Sequence, residues 1–135
     1  MAIEQPKTMY VGQTKTFKLT FTKKSDGERL NLDTELAAGT DAIELQVKVL
    51  EGDADPALIA LDLASGIVKR TQAGDDLGVA DATIPSSATT GGSWPAAPAN
   101  VGIFRYDVKI ILLSGAVDYS VIPSDLVVKA VVNGA

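Results

Sequence analysis

The chain has 135 residues, 12 basic and 17 acidic side chains, a formal net charge of −5, and neither cysteine nor histidine. That length fits one domain, and folding it buries roughly 65–70% of the unfolded surface, enough for a core without covalent staples. The two missing residue types exclude disulfide frameworks, Cys/His zinc sites, Ser-His or Cys-His nucleophile pairs and imidazole bases.

The acidic balance also bears on partners. No basic run is longer than Lys23-Lys24 or Lys69-Arg70, so binding to nucleic acid through phosphate neutralisation is not expected. The opening MAIEQPKTMYVGQTK lacks an apolar stretch of roughly 7–15 residues, so no secretory signal is expected. No run of about 18 apolar residues occurs anywhere, and no membrane partner is expected either.

In chain order, residues 1–14 read as an N-terminal arm, interrupted by Pro6 and Gly12, ahead of a β-sandwich domain over 15–135. Ile3, Met9, Tyr10 and Val11 of the arm are candidate partner contacts, ordered by a neighbouring chain. The alternative is an edge strand on the chain's own sheet. Lys15 to Thr22 alternates, with Phe17, Leu19 and Phe21 on the inward face. After the turn Ser25-Asp26-Gly27, Leu30 and Leu32 form a short strand or plug the core. Asp33 is expected to cap one or two helical turns ending near Gly39.

Ile43, Leu45, Val47 and Val49 make the next inward face, and Leu58 to Leu63 is a nearly continuous apolar run. Ser65-Gly66 is a tight turn, Ile67 to Thr71 a strand, and Val79 to Ile84 a strand stopped by Pro85. The long loop at 86–101 contains two Gly, two Pro, four Ala and the lone Trp94. Loops beyond about 12–15 residues are commonly functional.

Gly102 to Val132 is the centre of the expected sheet. Phe104, Tyr106, Val108, Ile110 and Leu112 share one face, and Ser114-Gly115 supplies a two-residue hairpin turn. That turn predicts the pairs Leu112/Val117, Ile110/Tyr119 and Val108/Val121. A one-residue slip would move Asp118 and Ser120 onto the apolar face. Pro123-Ser124-Asp125 is expected to close this strand, with Leu126 to Val132, including Val128, as the last. About eight strands at spacings of ~8–14 residues, with little helical periodicity, predict an all-β, antiparallel, immunoglobulin-like β-sandwich.

Few constellations could carry chemistry. Asp53-Ala54-Asp55, with Asp75-Asp76 elsewhere, offers carboxylates for calcium, but the spacing is not that of an EF-hand loop and a solvated turn is the preferred reading. The acids are not set among aromatic residues, so a glycosidase cleft is not indicated. No catalytic residue, metal site or cofactor is expected, and the chain reads as a non-enzyme. Trp94 with Pro95 has two open readings. It lids one end of the sandwich, or it anchors a partner on a segment stiffened by proline; the anchor is preferred because its neighbours are small.

The order of several pieces carries a resemblance. They are Gly12 to Phe21 (GQTKTFKLTF), Asp26-Gly27 with Leu30-Asn31-Leu32, Leu45 to Lys48 (LQVK), Gly66-Ile67, Ala80 to Pro85 (ADATIP), and Gly102 to Val108 (GIFRYDV) followed by Ser114-Gly115. In these the chain resembles β-sandwich domains of tailed-phage virion proteins, of the kind at the N-terminus of baseplate upper proteins and in related head and tail proteins. The likeness spans about residues 12–132. It departs at Ser120 to Asp125, which read SVIPSD where a glycine and a Val-Thr ending are expected, and in a longer Trp94 loop. The resemblance implies a structural role in the virion, with other virion proteins and copies of itself as partners. A capsid decoration or head-fibre-base protein is the first expectation. A tail or baseplate component, or a carbohydrate- or receptor-binding module, is the alternative.

Overall fold

The computed structural model describes residues 7–23, 27–49, 57–91, 94–95 and 99–130. The alternating runs become strands. They are β1 Lys7–Tyr10, β2 Lys15–Thr20, β3 Ile43–Lys48, β4 Ile59–Asp62, β5 Ile67–Lys69, β6 Val79–Ile84, β7 Gly102–Ile111 and β8 Val117–Lys129. Three short 3₁₀ turns accompany them, and no α-helix occurs among the described residues. A large sheet has the order β1-β8-β7-β3-β4, and a small one has the order β2-β6-β5.

Phe17, Leu19 and Ile84 of the small sheet face Leu45, Val47 and Tyr106 of the large one around a residual gap of about 10 Å³, no more than one water needs. Phe17, Leu19, Phe21, Ile43, Leu45, Val47, Phe104, Tyr106, Val108 and Ile110 of the expected inward faces are buried, as is Val128, while Leu112 is half-buried. Val49 breaks the β3 pattern and is exposed, because the strand ends at Lys48.

Two corrections follow for the sheet. The purely antiparallel sandwich does not form, because β1 runs parallel to β8, pairing Lys7 with Leu126 and Met9 with Val128. The Val11 N–H continues this ladder by donating to the Lys129 carbonyl at 3.0 Å. Residues 7–10 are thus an edge strand on the chain's own sheet, and Met9 is fully buried.

The second correction concerns the last hairpin. The expected Val108/Val121 pair forms, but Ile110 pairs with Asp118, Ile111 with Val117, and Tyr106 with Ser124. The turn is one residue longer than expected, with Leu112 N–H donating to the Ala116 carbonyl. Two register shifts then lengthen β8 against β7, one on each side of Val108. Ile122 and Pro123 together oppose Asp107 alone. A proline has no N–H to give a ladder, and a bulge is where a strand tolerates one. Pro123 therefore does not end the strand, and the two expected C-terminal strands are one.

Connections complete the core. Leu30 and Leu32 plug it without forming a named strand, and the expected helical turns after Asp33 are absent. A single turn begins at Asn31 instead, whose side-chain oxygen accepts from the Asp33 N–H while Glu35 reaches back to the Asn31 N–H at 2.6 Å. Ser65-Gly66 is a corner carrying the chain from one sheet to the other. Gly66 has φ 96°, and a Cβ there would lie 2.7 Å from the Leu61 side chain and 3.1 Å from the Thr83 carbonyl.

Candidate functional site

An open groove of about 470 Å³ lies between β4 and the end of β6, lined by Leu58, Ile59, Leu61, Ser65, Thr83 and Pro85 among others. Its lining is aliphatic with small hydroxyls and carries no ionisable side chain. Among the described residues no three His, Cys, Asp or Glu side chains converge as a metal site would require. Asp75 and Asp76 sit in a 3₁₀ turn, where Asp76 pairs with Arg70 at 3.1 Å and the Asp75 carbonyl accepts from Arg29. Asp53 and Asp55 lie outside the described residues, as does Ile3.

The other expected partner contacts separate. Met9 and Trp94 are buried within the chain. The Trp94 ring packs 4.5 Å from that of Phe104, and its indole N–H donates to the Asn100 carbonyl at 3.1 Å. The lid arrangement is the one observed. Val11 and Pro95 are half-buried, and Tyr10 is exposed. The same loop holds a buried hydroxyl that sequence reading missed. Thr89 Oγ1 accepts from the Gly12 N–H at 2.7 Å and ties the loop to the β1–β2 turn.

The outer face of the large sheet is different in kind. Alternation turns Glu44, Gln46 and Lys48 of β3 outward beside Lys109, Asp107 and Arg105 of β7, with Asp125 of β8 next to Arg105. This is a charged belt across the middle of the sheet. Arg105 pairs with Asp125, and Lys109 Nζ lies 2.8 Å from Glu44. Burial pushes the Asp107 carboxyl above its usual range; Lys48 and Lys109 oppose that, and Glu44 adds to it.

Apolar side chains bracket the belt. At one end Ile103 pairs with Val127, with Tyr10 and Val101 close by in the sheet; at the other Ile111 pairs with Val117, and Leu113 follows at the hairpin tip. Ile103 is 64% exposed, Leu113 69% and Val117 56%. Among the described residues the large exposed hydrophobics are Tyr10, Val49, Val68, Val101, Ile103, Leu113 and Val117. All but Val68 belong to the large sheet or to the ends of its strands. Concentrated exposed apolar surface marks an interaction face, whereas scattered single residues do not.

The small sheet's outer face answers to itself. Arg70 donates to both carboxylate oxygens of Asp81 at 2.9 Å, and the hydroxyls of Thr16 and Thr83 are 2.9 Å apart. At its edge Gln72 uses its whole amide. The oxygen accepts from the Leu32 and Gly78 N–H groups at 2.9 Å, and the nitrogen donates to the Arg70 and Val79 carbonyls. No periodicity in the sequence announces such a hub. The chain matches no family model and no curated protein.

Proposed function

We propose that this chain is a non-enzymatic structural component of a tailed-phage virion, a capsid decoration or head-fibre-base protein that works through surface contact. The observation that carries the reading is the gathering of exposed apolar side chains on one sheet, bracketing a charged belt. Enzymes concentrate perturbed ionisable groups in concave sites. Here the groove beside β4 is free of ionisable groups, and Asp81 and Glu44 on the sheets are drawn into ion pairs with Arg70 and Lys109. The resemblance of residues 12–132 to virion β domains supplies the setting. The immunoglobulin-like description of the two packed sheets belongs to the same proposal, with β1 as its parallel exception.

A carbohydrate-binding module needs aromatic faces along a groove for sugars to stack on. The groove beside β4 has none. The test is particle association. A virion preparation banded by density should contain the chain at a fixed copy number per particle, retained through washing with high salt. Recovery of the chain only in the unassembled fraction would overturn the assignment.

A further inference from the structure

We propose that the outer face of the large sheet is a self-association surface, occupied by a second copy of this chain related by a two-fold axis running along β7. This rests on the reading of the chain as an assembly protein and names the partner. The charges in one row of the sheet point to it. Lys48 on β3 and Asp125 on β8 are the cross-strand neighbours of Arg105 on β7, one on each side. A two-fold along β7 exchanges left and right, so Lys48 of each copy lies over Asp125 of the other. Opposite charges then meet twice, which is the self-complementarity an isologous contact requires.

The same rotation leaves positions along the strand unchanged. On the axis Ile103 meets Ile103 and Ile111 meets Ile111, so apolar side chains of β7 cover one another at both ends of the belt, while Val127 and Val117 on β8 lie toward the two ends of the partner's β3. Groups near the axis face their own kind and must be neutralised within each copy. Arg105 is paired with Asp125, whose remaining lone pairs can also accept from an incoming lysine. Asp107 is flanked by Lys48 and Lys109.

The size is adequate. The large sheet's five strands, from four residues in β1 and β4 to thirteen in β8, at about 3.4 Å per residue and roughly 4.8 Å spacing, outline a face of about 600 Å² per copy. Two such faces bury roughly 1,200 Å², at the lower bound of the range for stable specific contacts. Sheets stacked face to face at about −30° are an ordinary packing.

Sedimentation velocity on the full chain, with melting temperatures in parallel, tests the geometry. Wild-type protein should sediment as a dimer at ~100 μM, a concentration that detects even weak association. Ile103→Lys, at an exposed position, should keep the melting temperature and sediment as a monomer. Lys48→Glu and Asp125→Lys should each weaken the dimer at least ~10-fold, because each sets like charges against one another across the axis. Mixed one to one, those two variants should associate more tightly than either alone, since every 48/125 contact is again opposite in sign, but short of wild type, because Asp125→Lys leaves Arg105 of one copy without its neutralising carboxylate. A monomeric wild type, or a dimer that Ile103→Lys leaves intact, overturns the proposal. A monomer that still joins particles would refute self-association and leave the virion reading standing. A dimer with the predicted charge-swap rescue that never joins particles would do the reverse.

Discussion

The two sheets bury similar inner faces and present unlike outer ones. The small sheet closes its outer face with a bidentate Arg70–Asp81 pair, a Thr16–Thr83 hydroxyl pair and the Gln72 hub at its edge, leaving Val68 as its exposed large hydrophobic. The large sheet pairs its central charges and leaves Ile103, Leu113 and Val117 in water. A face destined for solvent gains by satisfying its polar groups locally. A face that meets a partner gains by leaving apolar area to be covered later, at a cost in solubility until then. The difference separates two kinds of side-chain organisation on one fold, and substitutions can grade it.

The largest effect belongs to neither outer face but to the core they share. Trp94→Ala removes the lid packed on Phe104 and should cost about 3–5 kcal/mol, read as a lowered urea midpoint with an unchanged slope. An unchanged midpoint would mean that Trp94 acts outside the core. This sets the scale against which surface changes are judged.

What the sequence could convey divides along the same physical line. Period-two alternation carries the inner faces, because burial on one side of a strand is a local pattern; Phe17, Leu45, Tyr106 and Ile110 were all legible that way. The β1–β8 pairing was not, since a parallel ladder joins residues far apart and leaves no mark in either segment. Pro123 misled for a related reason. A proline signals the end of a ladder unless a bulge absorbs it, and the bulge exists only once β7 supplies a shorter opposing strand. Trp94 was read as an anchor because its sequence neighbours are small; its supporting shell comes from Phe104 and Asn100 instead. The outer apolar ends were visible only as residues, since their gathering depends on the order of strands.

The small sheet's self-sufficiency makes a sharp prediction at its edge. Gln72→Ala strips four hydrogen bonds at once and leaves the Leu32 and Gly78 N–H groups without that partner. A loss of about 2 kcal/mol is expected, as for orphaned, partly buried donors, with no change in sedimentation. Gln72→Glu keeps the acceptor and loses the two donors, and should fall between the two. Equal stability of wild type and Gln72→Ala would remove the hub from the account.

Smaller effects, opposite in sign, distinguish the carboxylates of the two faces. Arg70 holds the Asp81 carboxyl below its usual range, through hydrogen bonds first and charge second. Its contribution is therefore present above the unfolded-state value and lost as pH falls through the folded one. Asp81→Asn should destabilise by about 1 kcal/mol at neutral pH, a modest figure because the pair is partly exposed to solvent screening.

Asp107 is the reverse case. Burial raises its carboxyl pKa, so the ionised form is disfavoured in the folded chain and stability rises as pH falls through the folded value. Asp107→Asn should stabilise at neutral pH by a few tenths of a kcal/mol, because Lys48 and Lys109 already offset part of the desolvation. The advantage should shrink on acidification, once wild type binds its own proton. Melting temperatures from neutral pH down to about 3.5, near the unfolded carboxylate value, resolve both curves. If both Asn variants lose stability equally at neutral pH, Asp107 is held as Asp81 is, by its partners and not against its burial, and the contrast between the faces fails at its centre.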